Sequence, residues 1–113
     1  MLTLQALSDL GVNTKEGLSR CMNNEDFYLR MVTMSLTDGS FDRLKGALDS
    51  GNLDEAFEAA HALKGVLTNL ALTPLSDPVI ELTEHLRTRD DMDYAPAIQS
   101  ILETKASFLK LIK

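Results

Sequence analysis

An all-α fold is what this sequence predicts: an antiparallel up-down four-helix bundle with one or two short N-terminal helices. Three observations point to it. Apolar residues recur in steps of three and four along most of the chain, and no stretch alternates as a strand would. Asparagines stand where helices should begin, two of them followed three residues later by glutamate. The intervals between periodic segments are short, which favours antiparallel neighbours.

Taken in order, the first signal is Asn13 with Glu16, a capping box that can satisfy two of the orphan N–H groups at a helix start. Asn24 precedes "EDFYLRMVTMSL", whose two leading acids suit the positive end of a helix dipole. Phe27, Met31 and Met34 share one face of that segment, and "DGS" at 38–40 ends it. "FDRLKGALDS" carries Phe41, Leu44 and Leu48 on one face and stops at Gly51, with Gly46 inside it weakening the helix by about 1 kcal/mol relative to alanine. A second capping box, Asn52 with Glu55, opens a helix from about 53 to 71, lined by Leu53, Ala56, Ala60, Leu63, Leu67 and Leu70. Thr73-Pro74 reads as a cap followed by a first-turn proline, but Pro78 would disturb a helix already under way. The next helix, with Leu75, Val79, Leu82 and Leu86, is therefore expected to start properly only at Asp77. A last helix from about 94 to 112 carries Ile98, Ile101, Leu102, Phe108 and Leu109.

The 113 residues are expected to form a single helical domain, 1–113. Hydrophobic residues make up 44% and aromatics only 5%, so the core must come mainly from Leu, Ala, Val, Ile and Met. A net charge of −6 argues against nucleic acid or an anionic membrane as partner, because both reward a basic face. A protein surface fits better. Cys21 has no cysteine to pair with, the start lacks a signal peptide's basic and apolar regions, and no stretch approaches the roughly 20 apolar residues of a membrane span. The expectation is a cytoplasmic monomer.

The longest helix contains "AAHALKGVLTNLAL" at 59–72. His61 falls beside the core stripe, at the surface or a groove edge, flanked by Ala60 and Ala62. Gly65 follows one turn later and has no side chain, so a partner can approach the imidazole closely. Lys64, at i+3, supplies an ammonium able to pair with an anion carried on the ring. Nucleophile, access and counter-charge stand within two turns.

"HALKG" at 61–65 resembles the His-x-x-Lys-Gly signature of histidine-containing phosphotransfer (HPt) domains, in which an exposed histidine on a four-helix bundle carries a phosphoryl group between response-regulator aspartates. "LGVNTKEGLSRCMNNEDFYLRMV" at 10–32 resembles the family's N-terminal region, and "IELTEHLR" at 80–87 the helix after the histidine. The resemblance implies that His61 is the phosphoryl acceptor, Lys64 steadies the phosphoryl group, and Gly65 admits the receiver domain. It implies receiver domains as partners, together with a hybrid histidine kinase, and magnesium bound by the receiver. The chain itself offers no carboxylate cluster for Mg²⁺ and no glycine-rich phosphate loop for ATP, so no cofactor and no kinase activity of its own are expected.

The sequence departs from the family pattern at Ala71, where many members carry glycine, at Val66, where many carry serine, and at Thr83, where some carry an amide. These departures keep a second reading open: a helical adaptor that docks receivers or another protein without using its histidine. A zinc site through His61 and His85 with Glu81 or Glu84 is weaker, since zinc wants three or four converging ligands and His85 lies about 200° around its helix from Thr83, the position aligned toward His61. Cys21 reads as a small apolar packing residue, and Asp54, Glu55, Glu58 and "RTRDDMD" at 87–93 as solvated surface. The Met and Phe stripe reads as core, with Phe41, Phe57 or Met31 at its edge forming a docking patch beside His61.

Overall fold

The computed structural model describes residues 2–112. Among the described residues seven helices follow one another: α1 (Leu4–Asp9), α2 (Thr14–Arg20), α3 (Glu25–Leu36), α4 (Ser40–Asp49), α5 (Leu53–Asn69), α6 (Thr73–Arg87) and α7 (Ala95–Ile112). Among the described residues there is no strand. The side chains of Asn13, Asn24 and Asn52 accept from the backbone N–H of Glu16, Phe27 and Glu55 at 3.0–3.1 Å, so each asparagine starts the helix its position announced.

The helices end by one repeated device. At the ends of α1, α2, α4, α5 and α6 a residue takes the left-handed conformation, at Gly11, Met22, Gly51, Ala71 and Arg89. The next residue's N–H then turns back to a carbonyl five positions earlier, as in Leu72 to Leu67 at 3.0 Å and Asn52 to Ala47 at 2.9 Å. Only two of these five positions hold glycine, so Met22, Ala71 and Arg89 each accept a left-handed cost of about 1 kcal/mol.

α5 lies against α4 and α6, α6 against α7, and α7 also against α3 and α4. Asp54 in the first turn of α5 pairs with Arg89 just beyond α6 at 2.6 Å, which makes those two helices an antiparallel hairpin. Arg43 pairs with Glu55 across the α4–α5 turn. The core between the helices is mainly aliphatic, with Leu36, Leu44, Leu63, Leu67, Leu82 and Leu86 essentially solvent-free beside the buried rings of Tyr28, Phe41 and Phe108.

Three expectations are corrected. α6 begins at Thr73, not Asp77, and Thr73 does not cap it: the carbonyl of Leu72 accepts from both Leu75 and Ser76, at 2.9 and 2.8 Å. Leu72, Leu75 and Ser76 are buried, and that burial outweighs the one ladder bond Pro78 removes. The core face of α3 is Tyr28, Val32 and Leu36, one residue round from the expected Phe27, Met31 and Met34; Met34 is 58% exposed. Phe41 is fully buried and so forms no edge patch.

Candidate functional site

α5 presents two faces. Ala56, Ala59, Ala60, Leu63 and Leu67 are buried, and this forces His61, Ala62, Gly65 and Val66 outward, where all four are exposed. The alanines flanking His61 have different functions. Ala60 and Ala59 let neighbouring helices approach α5, whereas Ala62 leaves the surface beside the ring low.

Among the described residues neither ring nitrogen of His61 has a hydrogen-bond partner, and Lys64, half-buried one turn further on, has neither an ion pair nor a hydrogen bond. Five other cations are paired, whereas Lys15, Arg30, Lys105 and Lys110 are, like Lys64, without an ion pair among the described residues. Arg20 pairs with Glu16, Arg43 with Glu55, Lys45 with Asp49, Arg87 with Glu84 and Arg89 with Asp54. A Cβ placed on Gly65 would meet nothing within 4 Å. The fold has room for a side chain there, and the sequence declines to fill it.

The ring of His61 does have one neighbour. Phe57, one turn earlier, stacks on it with centroids 5.8 Å apart and planes 18° from parallel. The guanidinium carbons of Arg87 and Arg89 lie 5.3 and 5.5 Å from the centre of the Phe57 ring.

Beside His61, between α3 and α5, runs a groove of about 820 Å³. Phe27, Met31 and Met34 form one bank and His61, Ala62, Gly65 and Val66 the other, with Arg20 and Asp38 among its polar lining. The carboxyl of Asp38 is held below the usual carboxylate range by hydrogen bonds from Ser40. A shallower recess of about 310 Å³ adjoins it, where Arg20 and Lys64 meet Gly65, Thr68 and Asn69. The sequence reading placed Met31 at this patch and also Phe57, which lies against His61 but outside the groove, and it missed Phe27, Met34, Arg20 and Asp38. The only signal available was that α3 carries two apolar stripes one residue apart, and just one can face the core.

The groove's far end is built by a tight contact. Tyr28 is fully buried and donates from its hydroxyl to the carbonyl of Leu70 at 2.9 Å. Burial pushes its phenol up to about 12. Its ring lies against Gly17, where an added Cβ would come within 2.6 Å of Cζ and Oη. Arg20 donates to the carbonyl of Thr68. α3 thus satisfies the Leu70 carbonyl just past α5, and α2 adds a second donor to the Thr68 carbonyl, which also accepts from the N–H of Ala71 at 3.0 Å.

The remaining candidates fall elsewhere. Thr83 is fully buried and donates to the carbonyl of Val79 at 2.6 Å, so its hydroxyl proton is taken within its own helix. Ala71 occupies the left-handed turn after α5 at φ +59°, keeping the geometry that a glycine would provide. Val66 is 40% exposed and adds to the groove wall. His85 holds Asp90 at 2.7 Å and lies 4.0 Å from Glu81, and the Thr88 hydroxyl followed by His85 keeps the Asp90 carboxyl low. Among the described residues no group of three or more His, Cys, Asp or Glu is placed to hold a metal, and no helix is long and apolar enough to cross a membrane. Cys21 is buried and unpaired by disulfide.

Comparison with curated proteins and with solved structures gave no match. Comparison with family models gave one, the Hpt domain, over residues 31–110. That span runs from the groove face of α3 to the last turns of α7 and includes His61, Lys64 and Gly65. Members are phosphocarrier modules of two-component phosphorelays rather than kinases. With most of its length inside the match, the chain belongs to the Hpt domain family.

Proposed function

We propose that this protein carries a phosphoryl group on His61 between aspartates of receiver domains. The observation that carries the reading is the conjunction on α5: an exposed imidazole with free nitrogens, an unpaired ammonium at Lys64, and empty space at Gly65. In the transfer, one ring nitrogen attacks the phosphorus of an aspartyl phosphate while the other keeps its proton. The new N–P bond forms as the P–O bond to the aspartate breaks, and the carboxylate leaves with the electron pair. The reverse step on a second receiver returns the ring to its starting state. Lys64 lies where it can neutralise charge on the phosphoryl oxygens, and stabilisation of this kind together with positioning carries most of such a reaction. Magnesium belongs with the acidic pocket of the receiver. The chain acts without a cofactor or ATP of its own, and a receiver approaching over Gly65 meets the apolar groove beside the ring.

Incubation with a phosphorylated receiver is expected to label His61 with an acid-labile, base-stable phosphoryl group. His61→Gln is expected to stay folded and to abolish transfer, and normal transfer by that variant overturns the assignment. One observation favours the adaptor as a second reading: Thr83 gives its proton to Val79 and lends the ring no hydrogen bond. Receiver binding without any label on His61 selects that reading instead.

A further inference from the structure

Resting on His61 as phosphoryl acceptor, we propose that Phe57 is a positioning residue that holds its imidazole in the attacking orientation, with Arg87 and Arg89 holding Phe57 in turn. A histidine on an exposed helix face with no hydrogen bond to either nitrogen is free to rotate about two torsions, and most of those orientations do not aim a nitrogen at an incoming phosphorus. The stack with Phe57, at 5.8 Å and 18°, is the contact that restricts the ring.

Phe57 is itself half-buried and backed by two guanidiniums at 5.3 and 5.5 Å. Those guanidiniums are anchored as well. Arg87 Nε donates to Glu84 at 3.1 Å, and Arg89 donates to Asp54 through Nε at 3.0 Å and Nη2 at 2.6 Å. An anchored chain therefore runs from two carboxylates through two guanidiniums and a phenyl ring to the imidazole. It approaches His61 from the N-terminal side of α5, leaving the Lys64 and Gly65 side open. The two arginines already have carboxylate partners and do not compete with Lys64 for the phosphoryl oxygens.

Three variants separate positioning from simple packing: Phe57→Leu keeps bulk without a π face, while Phe57→Tyr and Phe57→Trp keep the face. Two phosphoryl donors are compared, a phosphorylated receiver and phosphoramidate. The latter is small enough to need no docking; its N–P bond breaks, ammonia leaves, and the phosphoryl group joins the ring. Phe57→Leu is expected to lower the maximal rate with both donors by about tenfold while changing KM for the receiver less than about twofold. The ring-proton resonances of His61, shifted by the phenyl ring current, should move toward free-histidine positions in Phe57→Leu and stay near wild type in Phe57→Tyr and Phe57→Trp. Wild-type rates and ring resonances in Phe57→Leu overturn the proposal, and so does equal impairment of all three variants. If Phe57→Leu unfolds, Phe57→Met fills the space without a π face and serves for the same comparison. A wild-type protein that accepts phosphoryl from neither donor sinks the acceptor reading, and with it any catalytic purpose for the stack.

Discussion

Gly17 and Gly65 are both helical glycines, and they are glycine for opposite reasons. At Gly17 there is no room: the ring of Tyr28 occupies the space a side chain would take. At Gly65 there is room, since nothing beyond its own stretch of helix backbone lies within 4 Å of where its Cβ would be. The fold explains the first and is indifferent to the second. A helical glycine in open space weakens its helix without helping the chain that contains it, so any reason it has lies in whatever comes to the surface from outside. Gly65 stands one turn from His61, and that locates where such a visitor is needed.

The comparison breaks most readily at Gly17. Gly17→Ala is expected to destabilise the protein by about 2–3 kcal/mol, read by urea unfolding, because the Tyr28 ring is hemmed in and cannot step aside. Wild-type stability in that variant removes the distinction altogether. Next comes Tyr28→Phe, which relieves no crowding but leaves the Leu70 carbonyl without its donor, at an expected cost of about 1–2 kcal/mol.

The same residue makes a prediction about alkali. The folded Tyr28 phenol sits at about 12 against 10.0 unfolded, so its contribution is complete below pH 10 and is lost as pH climbs from there toward 12. In chemical denaturation across that window, wild type should lose stability more steeply than Tyr28→Phe. Parallel slopes contradict the buried phenol.

Gly65 is sharpened by a control within the chain. Gly46 is also helical, exposed and free of neighbours within 4 Å. Gly46→Ala and Gly65→Ala should each raise stability by about 1 kcal/mol. Only Gly65→Ala should slow transfer from a phosphorylated receiver, by about tenfold. Equal transfer by the two variants returns Gly65 to the class of tolerated defects. The smallest effect is expected at Ala71→Gly, a gain of about 0.5 kcal/mol from relieving the left-handed strain after α5, less the extra freedom of the unfolded chain.

Much of this molecule was legible because its signals are local. An asparagine three residues ahead of an N–H reaches it whatever the rest of the chain does, so Asn13, Asn24 and Asn52 announced their helices without tertiary help. The outward place of His61 followed in the same way from the spacing of Ala60, Leu63 and Leu67. What escaped depends on partners distant in sequence. α3 has two apolar stripes a residue apart, and the choice between them was made by Gly17 and Leu70, which give the Tyr28 ring its slot and its hydroxyl an acceptor. The start of α6 was misjudged because the cost of Pro78 is visible in the chain, whereas the burial of Leu72 and Leu75 that overrides it is not. The stack on His61 was half visible: Phe57 lies at i−4, but nothing local says that Arg87 and Arg89 come back over it.

The hydroxyl of Tyr28 has a practical bearing on how this domain can be moved between proteins. Likeness to the family opens at residue 31, three positions after Tyr28. A graft cut at that border would carry the histidine yet leave behind the bolt that closes the far end of its helix, together with α2, whose Arg20 holds the Thr68 carbonyl, and α1 before it. Chimeras built from this chain should therefore take their N-terminal seam ahead of α1, because the mechanical unit is longer than the stretch that family resemblance marks out.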